Sequence, residues 1–137
     1  MLRLLIAEDH AGMRAKVVST LEVDYSVIGA VGDGQEMLDV ESRFKPDIVI
    51  LDISMPTING IEAATRLRQR GSAAKVVFLT VHEEPDYLKA AMATGAFGYV
   101  LKGRLANDLQ FAVKEAIAGR RFVSPSLPRY DSRQVDD

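Results

Sequence analysis

The sequence contains no cysteine, which excludes disulfide bonds, thiolate metal sites and cysteine nucleophiles. It also has no long hydrophobic run, because no stretch approaches the ~20 apolar residues of a membrane-spanning helix. The apolar N-terminal run over residues 1–7 ends at an acidic pair and is too short for a secretory signal peptide. These absences predict a cytoplasmic protein with no membrane partner.

A large excess of charge of either sign is also absent. The formal net charge is −2, so the composition gives no reason to expect direct binding to nucleic acid or to an anionic membrane. Hydrophobic residues make up 47% of the chain and charged residues 26%, which is the usage of an ordinary globular domain. The 137 residues are enough for one domain with a hydrophobic core.

Short apolar runs alternate with amphipathic segments along the chain. Runs of this kind are typical of strands buried on both faces of a parallel sheet; they lie at 4–7, 26–31, 48–51, 75–79 and 97–101. Helical spacing of apolar residues follows each run, at about 10–22, 35–44, 61–71, 85–95 and 105–117. The alternation predicts a doubly wound α/β domain, (βα)5, with a five-stranded parallel sheet of order 2-1-3-4-5.

After the fifth predicted helix the periodic pattern stops. Residues 124–128 read Ser-Pro-Ser-Leu-Pro, and residues 131–137 are mostly polar. Neither segment has the apolar periodicity of a core-forming element. We therefore expect a domain over residues 1–121 and a linker or tail over residues 122–137.

Polar side chains stand at the ends of four predicted strands. Glu8 and Asp9 follow the first strand, Asp52 the third, Thr80 the fourth and Lys102 the fifth. The first and third strands are neighbours in the expected order, so the three carboxylates should converge. Two such charges about 4 Å apart repel by roughly 4 kcal/mol at an effective dielectric constant near 20. We therefore expect cations among them, namely Lys102 and a hard divalent ion such as Mg²⁺.

This set of groups suits phosphoryl transfer to a carboxylate. Asp52 would act as the nucleophile and form an aspartyl phosphate. Mg²⁺ held by two carboxylates would bind one phosphoryl oxygen, Lys102 a second and the Thr80 hydroxyl a third. The plainer alternatives are a turn or helix-cap aspartate, a threonine that ends a strand and a surface lysine. Because these five side chains stand together at the ends of four strands, we favour the phosphoryl-acceptor interpretation.

At this point the sequence resembles the response-regulator receiver domains of two-component signalling, over about residues 2–122. The resemblance rests on the acidic pair Glu8-Asp9, on the stretch 52–60, and on Thr80 and Lys102. It implies a flavodoxin-like fold of the expected strand order. It also implies a Mg²⁺ site formed by the acidic pair and Asp52, with the backbone carbonyl of Ser54 completing the metal shell.

The resemblance further implies how such a domain would signal. A sensor histidine kinase would donate the phosphoryl group to Asp52, and Thr80 would reorient towards it while Tyr99 moves inward. The face made by the fourth helix, fifth strand and fifth helix would then shift and alter dimerisation or an output domain. The chain is thus expected to be a signalling phospho-acceptor that assists its own phosphorylation and dephosphorylation, and not an enzyme.

Two stretches, 95–102 and 118–125, resemble the NarL/FixJ-type subfamily, whose members usually carry a LuxR-type helix-turn-helix DNA-binding domain after a linker. The sequence lacks such a domain, so we expect a truncated chain, or else a stand-alone receiver, that reaches DNA only through an output domain. Two departures stand out. Gly103 occupies the place where many receivers have a cis-proline, and Leu105 stands near the fifth helix N-cap without a capping side chain.

Two other functions on this fold suit the sequence less well than a receiver. A phosphatase with an aspartate nucleophile usually has a second acid two residues further on, where this chain has Ser54. A flavin- or nucleotide-binding module would need a glycine-rich first loop, whereas residues 8–12 are acidic with a single glycine. A receiver that signals without phosphate stays possible. His82, two residues beyond Thr80, is a candidate for tuning the phosphoryl lifetime by screening the attacking water; the alternative is that it only lines the loop.

Overall fold

The computed structural model describes residues 1–125, which form one open parallel sheet covered by helices on both faces. Its strand order is β2-β1-β3-β4-β5-β6. The strands are β1 (Arg3–Ala7), β2 (Ser26–Val31), β3 (Ile48–Leu51), β4 (Lys75–Thr80), β5 (Gly98–Leu101) and β6 (Phe122–Val123). The doubly wound α/β class and the 2-1-3-4-5 order of the first five strands are therefore confirmed.

Five α-helices connect these strands in the described part of the chain. They are α1 (Ala11–Leu21), α2 (Gly34–Phe44), α3 (Gly60–Gln69), α4 (Pro85–Ala93) and α5 (Leu105–Ile117), with a 3₁₀ turn (Lys102–Arg104) before α5. Side chains at the N-caps fix where three of them begin: Asp33, Asn59 and His10 each accept a hydrogen bond from a first-turn N–H. No side chain caps α5, as expected. None of the helices among residues 1–125 is long and apolar enough to cross a membrane.

Two hydrophobic cores lie on opposite faces of the sheet. Alternate residues of each strand point to opposite faces, so Leu5 packs towards α2, α3 and α4 while Leu4 and Ile6 pack towards α1 and α5. The central strand β3 is buried along its whole length. Each fully buried aliphatic side chain contributes about 1.5–3 kcal/mol. This two-sided core holds the strands in register and leaves their carboxyl ends at one edge, where the polar residues lie.

The structure corrects the expected count of five strands. The segment predicted as linker or tail begins with β6, because Phe122 N–H donates to Phe97 O (2.9 Å) and Ser124 N–H donates to Tyr99 O (3.0 Å). The Phe122 ring also packs edge-on against Phe111, with ring centroids 5.2 Å apart. A strand of two residues is too short for an alternation pattern to reveal it. Residues 126–137 lie outside the described part, so the tail prediction there stays a prediction.

Candidate functional site

Three carboxylates converge at the carboxyl ends of β1 and β3. Ala7 pairs with Leu51 in the parallel register, which brings the next residues, Glu8 and Asp52, side by side. Glu8, Asp9 and Asp52 each offer an oxygen, and these oxygens lie within 4.8 Å of one another. Glu8 is 1% exposed and Asp52 is 3% exposed, whereas Asp9 faces solvent. The predicted acidic cluster is therefore present, with two of its members buried.

Lys102 supplies the cation that the cluster requires. It follows β5 directly and reaches across the strand ends, so that its Nζ lies 2.8 Å from Glu8 Oε1 and donates to Asp52 Oδ2 at 3.0 Å. Burial alone would lower the pKa of Lys102, but its contacts with the negative carboxylates of Glu8 and Asp52 outweigh burial and raise it. One ammonium group against three carboxylates leaves the site with net negative charge.

The environment of Asp52 disfavours its charged form. Burial is the largest cause and raises its pKa from 3.8 to about 6, against the opposing hydrogen bond from Lys102. The negative charge of Glu8 contributes to this rise. A second cation beside Asp52 would reverse this effect, because a positive charge within about 4–6 Å favours the carboxylate form.

The donor set fits a hard divalent cation. Glu8 Oε2 accepts a hydrogen bond from His10 N–H (3.1 Å). Glu8 Oε1 is buried and accepts no hydrogen bond of good geometry from residues 1–125, although Lys102 Nζ is close. A buried carboxylate oxygen with free lone pairs, beside the solvent-facing Asp9, is a ligand arrangement that Mg²⁺ prefers. Glu8, Asp9 and Asp52 would hold such an ion; the part assigned to the Ser54 carbonyl stays a prediction.

The turn after β3 is closed against the backbone of Asp52. Gly60, at the start of α3, donates its N–H to Ile53 O at 2.7 Å. A Cβ atom at this position would lie 2.1 Å from the carbonyl oxygen of Asp52, which no side chain can tolerate. Gly60 thus permits the close approach that holds the carboxylate at its place in the cluster.

The predicted switch residues lie on the neighbouring strands β4 and β5 and are joined through His82. Thr80 is fully buried, and its Oγ1 accepts a hydrogen bond from His82 N–H at 3.1 Å. Tyr99 is also fully buried, and its hydroxyl donates to His82 O at 2.9 Å. Burial raises the pKa of Tyr99, so its hydroxyl stays protonated as a donor. Tyr99 thus occupies an inward position here, and its movement stays a prediction.

The imidazole of His82 links the loop after β4 to the turn after β3. A 2.7 Å hydrogen bond joins its Nε2 to Ser54 Oγ, and its ring stacks on Tyr87 with centroids 3.9 Å apart. Sequence reasoning found His82 from its place two residues after Thr80. It missed Tyr87, which belongs to the exposed side of α4 and carries no motif that relates it to the site.

The fold and site define a flavodoxin-like α/β domain that places an acidic cluster and a lysine at the switch point of its parallel sheet. The sequence pattern of the response regulator receiver domain matches residues 4–114. The chain therefore belongs to the response regulator receiver domain family, as the motifs predicted.

Similar proteins agree with this assignment. The chain is 37% identical over 129 residues to the uncharacterized transcriptional regulatory protein YvfU of Bacillus subtilis (strain 168), covering 93% of this chain and 64% of that protein. It is 32% identical to the transcriptional regulatory protein DegU of Brevibacillus brevis, covering 92% of this chain and 54% of that protein. The chain thus spans between half and two thirds of these relatives.

A crystal structure of a LuxR-family two-component response regulator from Aurantimonas sp. SI85-9A1 has the same fold. It superposes with a TM-score of 0.85 at 32% identity, covering 90% of this chain and 89% of that one. The signal receiver domain of the putative response regulator NarL from Mycobacterium tuberculosis gives a TM-score of 0.83 at 29% identity, covering 87% of this chain and 98% of that domain. The predicted likeness to NarL-type and LuxR-type regulators is confirmed.

Proposed function

We propose that this chain is a phosphorylation-activated receiver in which Asp52 accepts a phosphoryl group from a sensor histidine kinase. The observation that carries the proposal is a buried Asp52 held between Lys102 and two further carboxylates at adjacent strand ends. An oxygen of Asp52 would attack phosphorus while the bond from phosphorus to the donor nitrogen breaks, and the nitrogen would keep the electron pair.

Each neighbouring group has a role in this step. Lys102 would exchange part of its contact with Asp52 Oδ2 for a phosphoryl oxygen, which keeps its charge at the reacting centre. Glu8, Asp9, Asp52 and the Ser54 carbonyl would hold Mg²⁺. A bound Mg²⁺ would neutralise charge on the transferring oxygens. The domain would thus assist its own phosphorylation, as a signalling protein and not as an enzyme with a separate substrate.

The hydrogen bonds of His82 suggest how the site would signal. Thr80 Oγ1 is engaged by His82 N–H, so a turn of Thr80 towards a phosphoryl oxygen would break that bond. The carbonyl of the same residue holds the hydroxyl of Tyr99, so the change would reach β5. We propose that the face formed by α4, β5 and α5 then shifts, which would promote a homodimer or act on an output domain.

The output we propose is transcription, in the cytoplasm, through a LuxR-type DNA-binding domain outside this chain. Support comes from the names of the relatives, which are transcriptional regulators, and from the fraction of their length that this chain spans. DNA would be contacted by that further domain and not by the receiver itself.

Intact mass spectrometry tests the proposal. The protein is incubated with a small phosphodonor with and without Mg²⁺, beside an Asp52→Asn variant. We expect one added phosphoryl group that requires both Mg²⁺ and Asp52. If no mass is added and no phosphate is released while the protein is folded and binds Mg²⁺, the chemistry is wrong. A receiver that signals without phosphate would then be the alternative.

A further inference from the structure

Asp108 is a buried carboxylate outside the acidic cluster. It lies on α5 and is 4% exposed. Its Oδ1 accepts a hydrogen bond from Arg104 Nη2 (3.1 Å), and its Oδ2 accepts from Arg104 Nε (2.9 Å) and from Ser124 Oγ (2.8 Å). The guanidinium of Arg104 holds the pKa of Asp108 below its usual value. Burying a carboxylate costs free energy unless the group is paired or hydrogen-bonded. Arg104 and Ser124 therefore both depend on the same carboxylate.

The first partner belongs to the loop that carries Lys102. Arg104 is the last residue of the 3₁₀ turn, and the N–H of Leu105 donates to Lys102 O within that turn. The loop has Gly103 after the lysine, and no peptide bond among residues 1–125 is cis. No side chain caps α5. The two-pronged contact of Arg104 with Asp108 is therefore one restraint on the path of this loop.

The second partner belongs to residues 121–125, which we call the exit segment. Ser124 is 1% exposed and accepts a hydrogen bond at its Oγ from Leu101 N–H, the residue before Lys102 (3.1 Å). Its own N–H donates to Tyr99 O at 3.0 Å. Ser124 thus bonds to β5 at two places, Tyr99 and Leu101, and also to Asp108, the carboxylate that restrains the lysine loop.

We propose that Asp108 is a positioning residue that couples the exit segment to the loop of Lys102, through Ser124 on one side and Arg104 on the other. The consequence for phosphorylation rests on the function proposed above. A change in the position of Lys102 would alter the anchor of the exit segment, through which the chain continues towards residue 126. Because coupling is reciprocal, release of the exit segment would change the affinity of the site for its phosphoryl ligand by the same factor.

The test compares Ser124→Ala and Asp108→Asn with a matched control, Glu115→Gln. Glu115 also lies on α5 and also pairs with an arginine, Arg120 (2.9 and 3.0 Å), but among residues 1–125 neither side chain forms a hydrogen bond or ion pair with β5 or the lysine loop. Backbone amide exchange is measured by NMR at Leu101, Leu105 and Ser124, without phosphate. Affinity for beryllofluoride, a stable mimic of the phosphoryl group, is then measured in the presence of Mg²⁺.

We expect Ser124→Ala and Asp108→Asn each to speed exchange at all three amides and to change beryllofluoride affinity by about fivefold or more. Glu115→Gln should leave both quantities unchanged, and Ser124→Thr, which keeps the hydroxyl, should restore them towards the wild-type values. If Asp108→Asn fails to fold, Ser124→Ala carries the test. Wild-type exchange at Leu105 in folded Ser124→Ala protein would overturn the coupling. Failure of wild-type protein to bind beryllofluoride would overturn the phosphoryl-acceptor function, and the exchange data would still decide the coupling.

Discussion

Asp52 meets two opposing requirements in one buried position. It must be ionised to act as a nucleophile, yet burial and the neighbouring Glu8 raise its pKa to about 6. The unfolded chain, with an aspartate pKa near 3.8, gives up this proton more readily than the folded one. The contribution of Asp52 to stability is therefore fully present below 3.8 and is lost as the pH rises through about 6. The site is thus less stable at neutral pH, where Asp52 is ionised and can bind a cation or attack phosphorus.

The raised pKa of Asp52 predicts how Asp52→Asn changes the pH dependence of stability. As the pH rises from 4 to 7, the unfolding free energy of the variant should increase relative to that of the wild type by on the order of 2 kcal/mol. Urea denaturation at several pH values with a metal chelator present measures this difference. The exposed neighbour variant Asp9→Asn is the control for removing a charge from the cluster. A difference that does not vary with pH would contradict the prediction.

His82 also supports a prediction at the scale of one side chain. Its imidazole is held by Ser54, two residues beyond Asp52, and by stacking on Tyr87. Because we expect this imidazole to screen the attacking water, His82→Ala should shorten the half-life of the phosphorylated protein several-fold. Loss of mass or release of phosphate over time measures the half-life. Tyr87→Leu should have a smaller effect because it leaves the imidazole in place, and an unaltered half-life in His82→Ala would remove the idea.

At the scale of the elements, the strand-to-helix turns determine where the reacting groups lie. Gly60 shows this most directly, because α3 begins against the backbone of Asp52 with no room for a Cβ atom. Gly60→Ala should force β3 and α3 apart and cost about 1–3 kcal/mol of unfolding free energy, with loss of phosphorylation. Gly103→Ala is the matched control. No atom would lie within 4 Å of its new Cβ, so its stability should stay within about 0.5 kcal/mol of wild type. Equal stability for both variants would contradict this account.

The elements also show what the sequence can and cannot predict. The first five strands are continuous apolar runs, so a local pattern identifies them, and residues at their ends identify the acidic cluster. The strand β6 has no such pattern, because it is defined by hydrogen bonds to β5 and by the buried hydroxyl of Ser124. The hydrogen bond of Ser124 to Asp108 and the link between Ser54 and His82 were missed for the same reason. They join residues 16 and 28 positions apart in the chain, and no periodicity relates these positions.

At the scale of the whole molecule, the sheet brings the site and the exit segment to one edge. β6 runs parallel to β5, so its carboxyl end points to the same edge of the sheet as Lys102 and Asp52. The helices on both faces give the sheet a rigid frame, and the polar groups lie on loops at its rim. A change in charge at this rim is therefore close to the segment that would lead to an output domain. We therefore expect the charge state of the acidic cluster to affect the stability of the whole domain.

The last prediction follows from that link between the cluster and the stability of the domain. A divalent cation that binds only the folded state should stabilise it by about 2.7 kcal/mol at a hundredfold excess over Kd. Mg²⁺ would relieve repulsion among three carboxylates that a single Lys102 leaves incompletely neutralised. Thermal unfolding with increasing Mg²⁺ measures the effect on Tm. The shift should shrink in Glu8→Gln and Asp9→Asn and persist in Glu115→Gln, whose carboxylate lies on α5 away from the cluster. An equal shift in all four proteins would mean that the cation acts elsewhere and that the cluster is stabilised by Lys102 alone.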